Sequence, residues 1–186
     1  MIGPGTNTRK QNSHMDGAQM HTSEGNPAAA DMTIVLIREL EGLQGEIRLF
    51  ADDSGIWRTQ PGVANSAGNI ALHVAGNVQH FIGAVLGGSG YVRDRDLEFS
   101  RRSGTRDDVV AELDRAIEVV RSVLPRLSDE TLNAVYPEPR LSVPTRRFLL
   151  HLCTHAAYHL GQAGYLRRML SGDNHSSGAL GLQHLA

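Results

Sequence analysis

The chain has 186 residues, enough for one domain with tails, and its 18 basic and 20 acidic residues leave a net charge of −2. Because the two charge signs are interspersed, we expect no basic surface that would attract a nucleic acid or an anionic membrane. No apolar run approaches the roughly 18 residues of a membrane-spanning helix, and a single cysteine excludes an intrachain disulfide. These features predict a cytoplasmic chain that binds neither membrane nor nucleic acid.

Both ends of the chain are predicted to be flexible. Residues 1–30 are rich in Gly, Asn, Ser, Thr and Gln and hold too few branched aliphatic side chains to become ordered. The run Ser13-His14-Met15 also resembles the remnant of an expression vector, which indicates that part of this segment is not native. The tail of residues 171–186 has a similar composition. The folded domain is therefore predicted to occupy residues 31–170.

Two amphipathic helices are predicted in the first half of this domain. The first spans about residues 31–53, where apolar side chains recur every three or four positions. The second spans about residues 66–86. It is predicted to end at Gly87 and Gly88, because glycine commonly follows the last turn of a helix.

Two more helices are predicted in the second half. The third spans about residues 105–124, where Thr105 and Asp108 have the spacing of a capping box. The fourth spans about residues 144–170, and Gly172 follows as its C-cap. Since no segment shows the alternation of a strand, the four helices predict an all-α, four-helix bundle. The connections after the second and third helices, of about 20 residues each, are long enough to cover a site.

Three histidines lie at positions from which they could share one metal ion. His155 and His159 are four residues apart in the last predicted helix, so both rings leave the same helix face. His73 lies in the second predicted helix, which a bundle can place beside the last one. Neutral imidazole is a common ligand of zinc, nickel, iron and copper. The pattern predicts a divalent metal site with three histidine ligands and one open position.

Two more histidines compete for a place at this ion. His80 lies two turns after His73, and His151 lies one turn before His155. A stripe that runs from His151 to His159 would be roughly 12 Å long, too long for all its rings to share one ion. We therefore interpret His80 and His151 as part of a polar shell around the site, or as a polar patch on the bundle wall.

Three further side chains are predicted to surround the ion in a single pocket. Asn77 lies one turn after His73, and Gln162 lies three residues after His159 on the same helix face. Tyr158 lies at that end of the last helix. Each amide has an equally ordinary interpretation, a hydrogen bond to a neighbouring loop or helix.

Other charged and reactive residues are given no place at the ion. Cys153 lies two residues before His155, so it points to roughly the opposite face and is predicted to belong to the core. The interleaved arginines and acids of residues 93–106 are expected to form a solvated loop, and Arg167 and Arg168 to lie on an exposed helix face. No carboxylate lies near the three histidines in sequence. Three acids elsewhere remain candidates for a general base: Glu39, Glu46 and Asp96.

Three runs of sequence, taken together, resemble the DinB-like superfamily of four-helix bundles. They are Asn-Ile-Ala-Leu-His-Val-Ala-Gly-Asn (69–77), Arg-Asp-Arg-Asp-Leu-Glu-Phe (93–99) and His-Ala-Ala-Tyr-His-Leu-Gly-Gln (155–162). The resemblance extends over about residues 31–170 and is strongest to a subgroup of uncharacterised bacterial proteins. It implies an up-down-down-up bundle, a homodimer, and a divalent ion, often nickel or zinc. Its ligands, carried over by position, are His73, His155 and His159.

The resemblance also implies a range of activities. Some relatives are transferases that use bacillithiol, mycothiol or glutathione, others isomerise maleylpyruvate, and many have no known activity. An ion held by three neutral ligands keeps its full charge and acidifies a bound water or thiol. Because no general base is evident near the histidines, we favour an S-transferase that joins a small-molecule thiol to an electrophile. The alternatives are a metal-dependent hydrolase and a non-catalytic, stress-associated metal-binding bundle.

Overall fold

The chain folds into a bundle of α-helices. The computed structural model describes residues 1, 3, 26–177 and 181–185. Within these residues there are six α-helices: α1 (Pro27–Arg48), α2 (Ala67–Val78), α3 (Arg95–Ser100), α4 (Arg106–Val123), α5 (Asp129–Asn133) and α6 (Thr145–Ser171). A π-helix (Gln79–Leu86) continues α2, and 3₁₀ turns cover Gly55–Trp57, Leu124–Arg126 and Leu182–Leu185. The described residues form no strand beyond one isolated bridge between Val135 and Pro144.

The four long helices form the bundle, which confirms the predicted all-α fold. α1 packs against α4 and α6, and α2 packs against the same two helices, so α1 and α2 lie on opposite corners. The core between them is a continuous cluster of aliphatic side chains, and Leu36, Leu40, Leu113 and Leu149 are almost completely buried in it. The predicted histidines therefore belong to two helices that are in direct contact, α2 and α6.

Contacts near the helix ends give the relative directions of the helices around this pair. Glu46 near the end of α1 contacts Arg167 near the end of α6, so these two helices run the same way. Phe81, just after α2, stacks edge-on against Phe148 at the start of α6, with ring centroids 5.1 Å apart. α2 and α6 therefore run in opposite directions. Residues that follow a histidine on α2 thus lie at the same level as residues that precede one on α6.

Several helix ends lie where the sequence places them. Thr105 caps α4 in a complete capping box with Asp108, and Gly172 ends α6 in the left-handed region at a φ of 69°. α1 ends earlier than predicted, at Arg48 rather than near residue 53. The reason is local, because the Asp52 carboxylate accepts hydrogen bonds from the Ser54 hydroxyl and the Gly55 backbone and closes a turn there.

The two long connections contain helices that the sequence analysis did not predict. α3 lies in the first connection, where the Asp94 side chain accepts a hydrogen bond from the backbone of Leu97. α5 lies in the second, where Ser128 caps the helix through the backbone of Thr131. At six and five residues, both helices are too short to show a helical period.

The chain ends differ from the prediction where they are described. α1 begins at Pro27, inside the segment predicted to be flexible, and the Asn26 side chain caps it. Residues 2 and 4–25 of that segment lie outside the described residues, as do residues 178–180 and 186 of the tail. Residues 172–177 return to the bundle, where the backbone N–H of Ser177 donates to Glu46.

The Glu46–Arg167 ion pair is a buried polar contact between α1 and α6. Arg167, predicted to be exposed, is completely buried, and its Nε lies 2.7 Å from the Glu46 carboxylate. Its guanidinium also donates to the His175 carbonyl. Burial raises the pKa of Glu46, but the hydrogen bonds from Arg167 and Ser177 lower it by a larger amount. The pKa of Glu46 is therefore below its usual value. The prediction of an exposed face is therefore wrong for Arg167, whereas Arg168 is about 30% exposed.

We expect Arg167→Met to reduce the free energy of unfolding by about 3–5 kcal/mol, because it leaves the Glu46 carboxylate buried without its partner. Urea unfolding followed by circular dichroism would measure the loss. Arg168→Met is the matched control, since Arg168 lies 3.9 Å from Glu46 at the surface and should contribute less than about 1 kcal/mol. Equal losses in the two variants would show that the buried pair has no special role.

Candidate metal centre

Three imidazole nitrogens converge between α2 and α6. The Nε2 atom of His155 lies 3.3 Å from that of His73 and 3.2 Å from that of His159. One ligand atom from each ring lies within 4.8 Å of the others. His73 is 7% exposed, and the other two rings are partly buried. The three predicted ligands therefore lie together in a group that could hold a divalent cation.

Hydrogen bonds on the far side of two rings fix the nitrogens that face the centre. His73 Nδ1 lies 3.0 Å from the Glu98 carboxylate, which can only accept, and 3.1 Å from the Arg93 guanidinium, which can only donate. Because the guanidinium already donates to both Glu98 oxygens, the bond to Glu98 favours a proton on Nδ1 and leaves Nε2 its lone pair. His159 Nδ1 lies 2.8 Å from the side-chain oxygen of Gln162, with the same result. Two lone pairs thus point at the His155 nitrogen, which can donate to only one of them. A cation would satisfy all three nitrogens, so the residues present fit a metal ion.

The protonation state of the rings also suits a metal ion. Burial, together with the neighbouring rings of His159 and His73, lowers the pKa of His155 to about 4. Burial also lowers the pKa of His159, although its hydrogen bond to Gln162 opposes this. At neutral pH both rings are therefore uncharged, which is the form of imidazole that binds a metal.

Glu98 is a buried carboxylate held in place by an arginine. Arg93 donates to both of its oxygens, with distances of 2.6 Å from Nε and 2.7 Å from Nη2. Burial raises the pKa of Glu98, but hydrogen bonds from Arg93 and His73 lower it below its usual value. The carboxylate therefore stays ionised and holds the His73 ring. The prediction that Arg93 belongs to a solvated loop is wrong, because its side chain is only 11% exposed.

Two residues of α2 allow α3 to bring Glu98 under the His73 ring. The Asn69 side chain donates to the carbonyls of Glu98 and Arg101, each at 2.9 Å, and ties the C-terminal end of α3 to α2. Gly76 lies directly against the Glu98 carboxylate, and a methyl group at this position would overlap it. The glycine thus permits an approach that any other residue would block.

The sequence analysis did not assign Glu98 or Arg93 a role at the site. The available signals were the long connection after α2 and the acidic run that contains Glu98. Neither of them distinguishes Glu98 from Asp94 or Asp96. The distinction depends on the contact with α2, about 25 residues earlier in the chain.

The residues predicted to surround the ion are placed unequally. His151 is exposed, and its ring centroid lies 5.8 Å from that of His155. His80 packs edge-on against Phe81, and its Nδ1 atom is buried without a hydrogen bond to any described residue. Neither belongs to the described group that could bind a metal. Tyr158 is 63% exposed and touches the His159 ring edge-on.

Asn77 and Gln162 line two different cavities, so the prediction of a single pocket is wrong. The Gln162 cavity has a volume of about 380 Å³ and includes Ile70, one turn before His73. The Asn77 cavity has a volume of about 300 Å³ and includes His151, one turn before His155. Because α2 and α6 run in opposite directions, the two cavities lie on opposite sides of the histidines along the bundle axis.

Cys153 belongs to the core, as predicted. Its sulfur lies 3.8 Å from the Met32 carbonyl, and it is a free thiol. Burial and the nearby charge of Glu39 together raise its pKa to about 11. At neutral pH it is therefore protonated and unsuited to act as a nucleophile or a metal ligand.

The three acids proposed as general bases have other partners or positions. Glu39 is buried beside Arg38, and Glu46 is paired with Arg167. Asp96 lies on the exposed face of α3. Among the described residues, the carboxylate that contacts one of the three histidines, His73, is Glu98 instead.

Comparison with known families supports the resemblance noted in the sequence. The model of the DinB superfamily matches residues 36–163, most of the chain. The protein belongs to the DinB superfamily. The matched range includes the three histidines, Glu98, the whole of α2 and α3, and α6 as far as residue 163. A search of curated proteins returned no match. No helix among the described residues of this DinB bundle is long and apolar enough to cross a membrane.

We expect His73→Ala, His155→Ala and His159→Ala each to lower the metal content far below one ion per chain, because each removes one of three ligands. Elemental analysis of untagged, dialysed protein would measure this. His80→Ala and His151→Ala are the matched controls and should retain the ion. If His151→Ala removed the ion while His159→Ala kept it, the assignment of ligands would be wrong by one helical turn.

Glu98→Gln should weaken metal affinity by about 10–100-fold, the usual effect of losing the outer partner of a histidine ligand. The reason is that a neutral amide neither increases the basicity of the ring as much nor fixes its tautomer. A chelator competition titration would measure the change. Asp96→Asn, on the exposed face of the same helix, removes one charge without touching His73. An equal effect of the two substitutions would point to net charge rather than to the hydrogen bond.

Proposed function

We propose that this DinB-superfamily protein is a metal-dependent enzyme that transfers a small-molecule thiol to an electrophilic carbon. The observation that carries the proposal is the group of three imidazoles whose ring nitrogens converge on one point between α2 and α6. A divalent ion held by neutral ligands keeps its charge and lowers the pKa of a thiol that binds it. His73, His155 and His159 would hold the ion, and Glu98 and Gln162 orient two of these rings.

The surroundings of the histidines favour thiol transfer over hydrolysis. In many metal hydrolases a carboxylate or another free base takes a proton from the water that the ion has acidified. Glu98 is engaged by Arg93 through both oxygens and by His73, so it is not available for this role. A thiol that has lost its proton needs no further base for its attack, which makes the transferase the better match to these residues.

The number of ligands favours an enzyme over a structural metal protein. The described group contains three histidines and no cysteine or carboxylate, whereas structural zinc sites have four protein ligands. A position for a substrate is therefore left open. The expected nickel or zinc ion, the homodimer and the cytoplasmic location stay predictions.

The Gln162 cavity is a suitable place for the electrophile. Its walls are largely apolar and include Ile70, Leu166 and Met169, while Gln162 connects it to the His159 ring. In the proposed reaction the thiol sulfur forms a bond with the electrophilic carbon. The bond from that carbon to its leaving group breaks, the leaving group takes the electron pair, and the thiol proton passes to water. No oxidant or reductant is required.

We expect the metal-loaded protein to accelerate the reaction of 1-chloro-2,4-dinitrobenzene with at least one of bacillithiol, mycothiol, glutathione and cysteine. His155→Ala should return the rate to that without protein, because it removes the central ring of the three. Absorbance of the conjugate measures the rate, and Asp96→Asn, outside the site, serves as the control. Equal rates for wild type and His155→Ala with every thiol would refute the transferase and leave a structural metal protein as the better account.

A further inference from the structure

The Gln162 side chain contacts the histidine centre through one end of its amide and leaves the other end unused. Its oxygen lies 2.8 Å from His159 Nδ1. When His159 Nε2 faces the centre, Nδ1 carries the proton, so the Gln162 oxygen accepts and the amide nitrogen is turned away from the ring. This nitrogen makes no hydrogen bond to any described residue, and Gln162 is exposed. Two N–H donors are therefore available beside the centre.

The Gln162 cavity lies on the side of these donors. Its volume is about 380 Å³, and Gln162 is itself part of its lining, so a ligand there can accept from the amide nitrogen. Ile70 and Leu166 are buried and form apolar walls. Tyr165 and Met169 are exposed and lie at its rim. The cavity is therefore open to solvent, and its size suits a small organic molecule.

The lining of the Gln162 cavity determines the charge of a suitable ligand. None of the described lining residues is charged, and Asn65 and Gln162 contribute its two side-chain amides. An ionised ligand would lose part of its hydration there without gaining a partner of opposite charge. Apolar walls with a few polar groups are typical of sites for small molecules. The cavity thus suits an uncharged molecule with an apolar body and one oxygen that accepts from an amide.

We propose that Gln162 selects the electrophile by donating from its amide nitrogen to an oxygen that takes up negative charge when the neighbouring carbon is attacked. The inference rests on the proposed thiol transfer and adds the class of electrophile, an uncharged carbonyl or nitroaryl compound. Attack by sulfur forms the carbon–sulfur bond and moves a π-electron pair onto that oxygen, where the Gln162 N–H stabilises the charge. The pair then returns as the leaving group departs with its own bonding pair.

Acetophenone and α-methylstyrene test this donor without a chemical reaction. The two molecules have nearly the same shape, but the carbonyl oxygen of the first is a CH₂ group in the second. Their dissociation constants can be measured by saturation-transfer NMR titration of the full chain in excess zinc. The ratio of the two constants reports the contribution of the oxygen. Because an apolar wall by itself favours the hydrocarbon, the informative quantity is the change of this ratio between the wild type and a variant.

Two substitutions of Gln162 isolate the donor. Gln162→Glu still accepts from His159 Nδ1 but has no N–H, so it should keep the zinc ion while the relative affinity for acetophenone falls about fivefold. Gln162→Met has neither a donor nor a charge, and in excess zinc it should show a similar fall. Asn65→Ala is the matched control. It removes the other amide of the lining, which does not contact the histidines, and should leave the ratio unchanged.

The failures of the two proposals can be told apart. A ratio that survives both Gln162 substitutions, or one that falls equally in Asn65→Ala, would overturn the role of Gln162 and leave thiol transfer standing. Failure of both ligands to bind the wild type would overturn it as well. A fall confined to the Gln162 variants would support the donor. If the protein then transferred no thiol to 1-chloro-2,4-dinitrobenzene, the proposed function alone would be refuted.

Discussion

The hydrogen bond between His73 and Glu98 connects the candidate metal centre to the rest of the bundle. On one side it fixes the tautomer of the ring and thereby directs a lone pair at His155. On the other side it depends on Arg93, which neutralises the buried carboxylate, and on Asn69, which ties α3 to α2. The connection that contains α3 and precedes α4 is therefore a part of the site. It is long because it must return to α2 before α4 begins.

The same bond separates what the sequence could predict from what it could not. The spacing of His155 and His159 implies a shared helix face, and helical periods reveal the four long helices. Such inferences need only neighbours along one helix. Glu98 orients His73 through a contact with a residue 25 positions earlier in the chain. α3, which carries Glu98, is too short to show a helical period in the sequence.

Arg167 shows the same limit in the core. Beside Arg168 near the end of a helix, it looks like one of two exposed charges. Its burial follows from Glu46, which lies 121 residues earlier in the chain. Cys153 was predictable for the opposite reason, since its direction relative to His155 is set within a single helix. Local geometry could thus be inferred from the sequence, whereas the partners of buried charges required the assembled bundle.

The two amides beside the histidines differ in how their hydrogen bonds are used. Gln162 holds the His159 ring, so its oxygen is already committed. Asn77 is nearly as close to His73 along its helix, but that ring is held by Glu98, and the Asn77 side-chain oxygen has no hydrogen bond to any described residue. The carboxylate on α3 therefore does more than orient one ring. Because Glu98 holds His73, Asn77 is not needed to orient that ring. Asn77 instead lines the cavity beside the connection between α5 and α6.

Gly76 has a consequence for moving this centre into another protein. Alanine is a better helix former than glycine by about 1 kcal/mol, yet even its single methyl group would occupy the space of the Glu98 carboxylate. A designer who grafted only the three histidines onto a different bundle would keep the ring spacing and lose the support beneath His73. The smallest unit that could be transferred must therefore also include a glycine at the position of Gly76, about one turn after His73. It must further include a segment like α3 that places a carboxylate against that glycine.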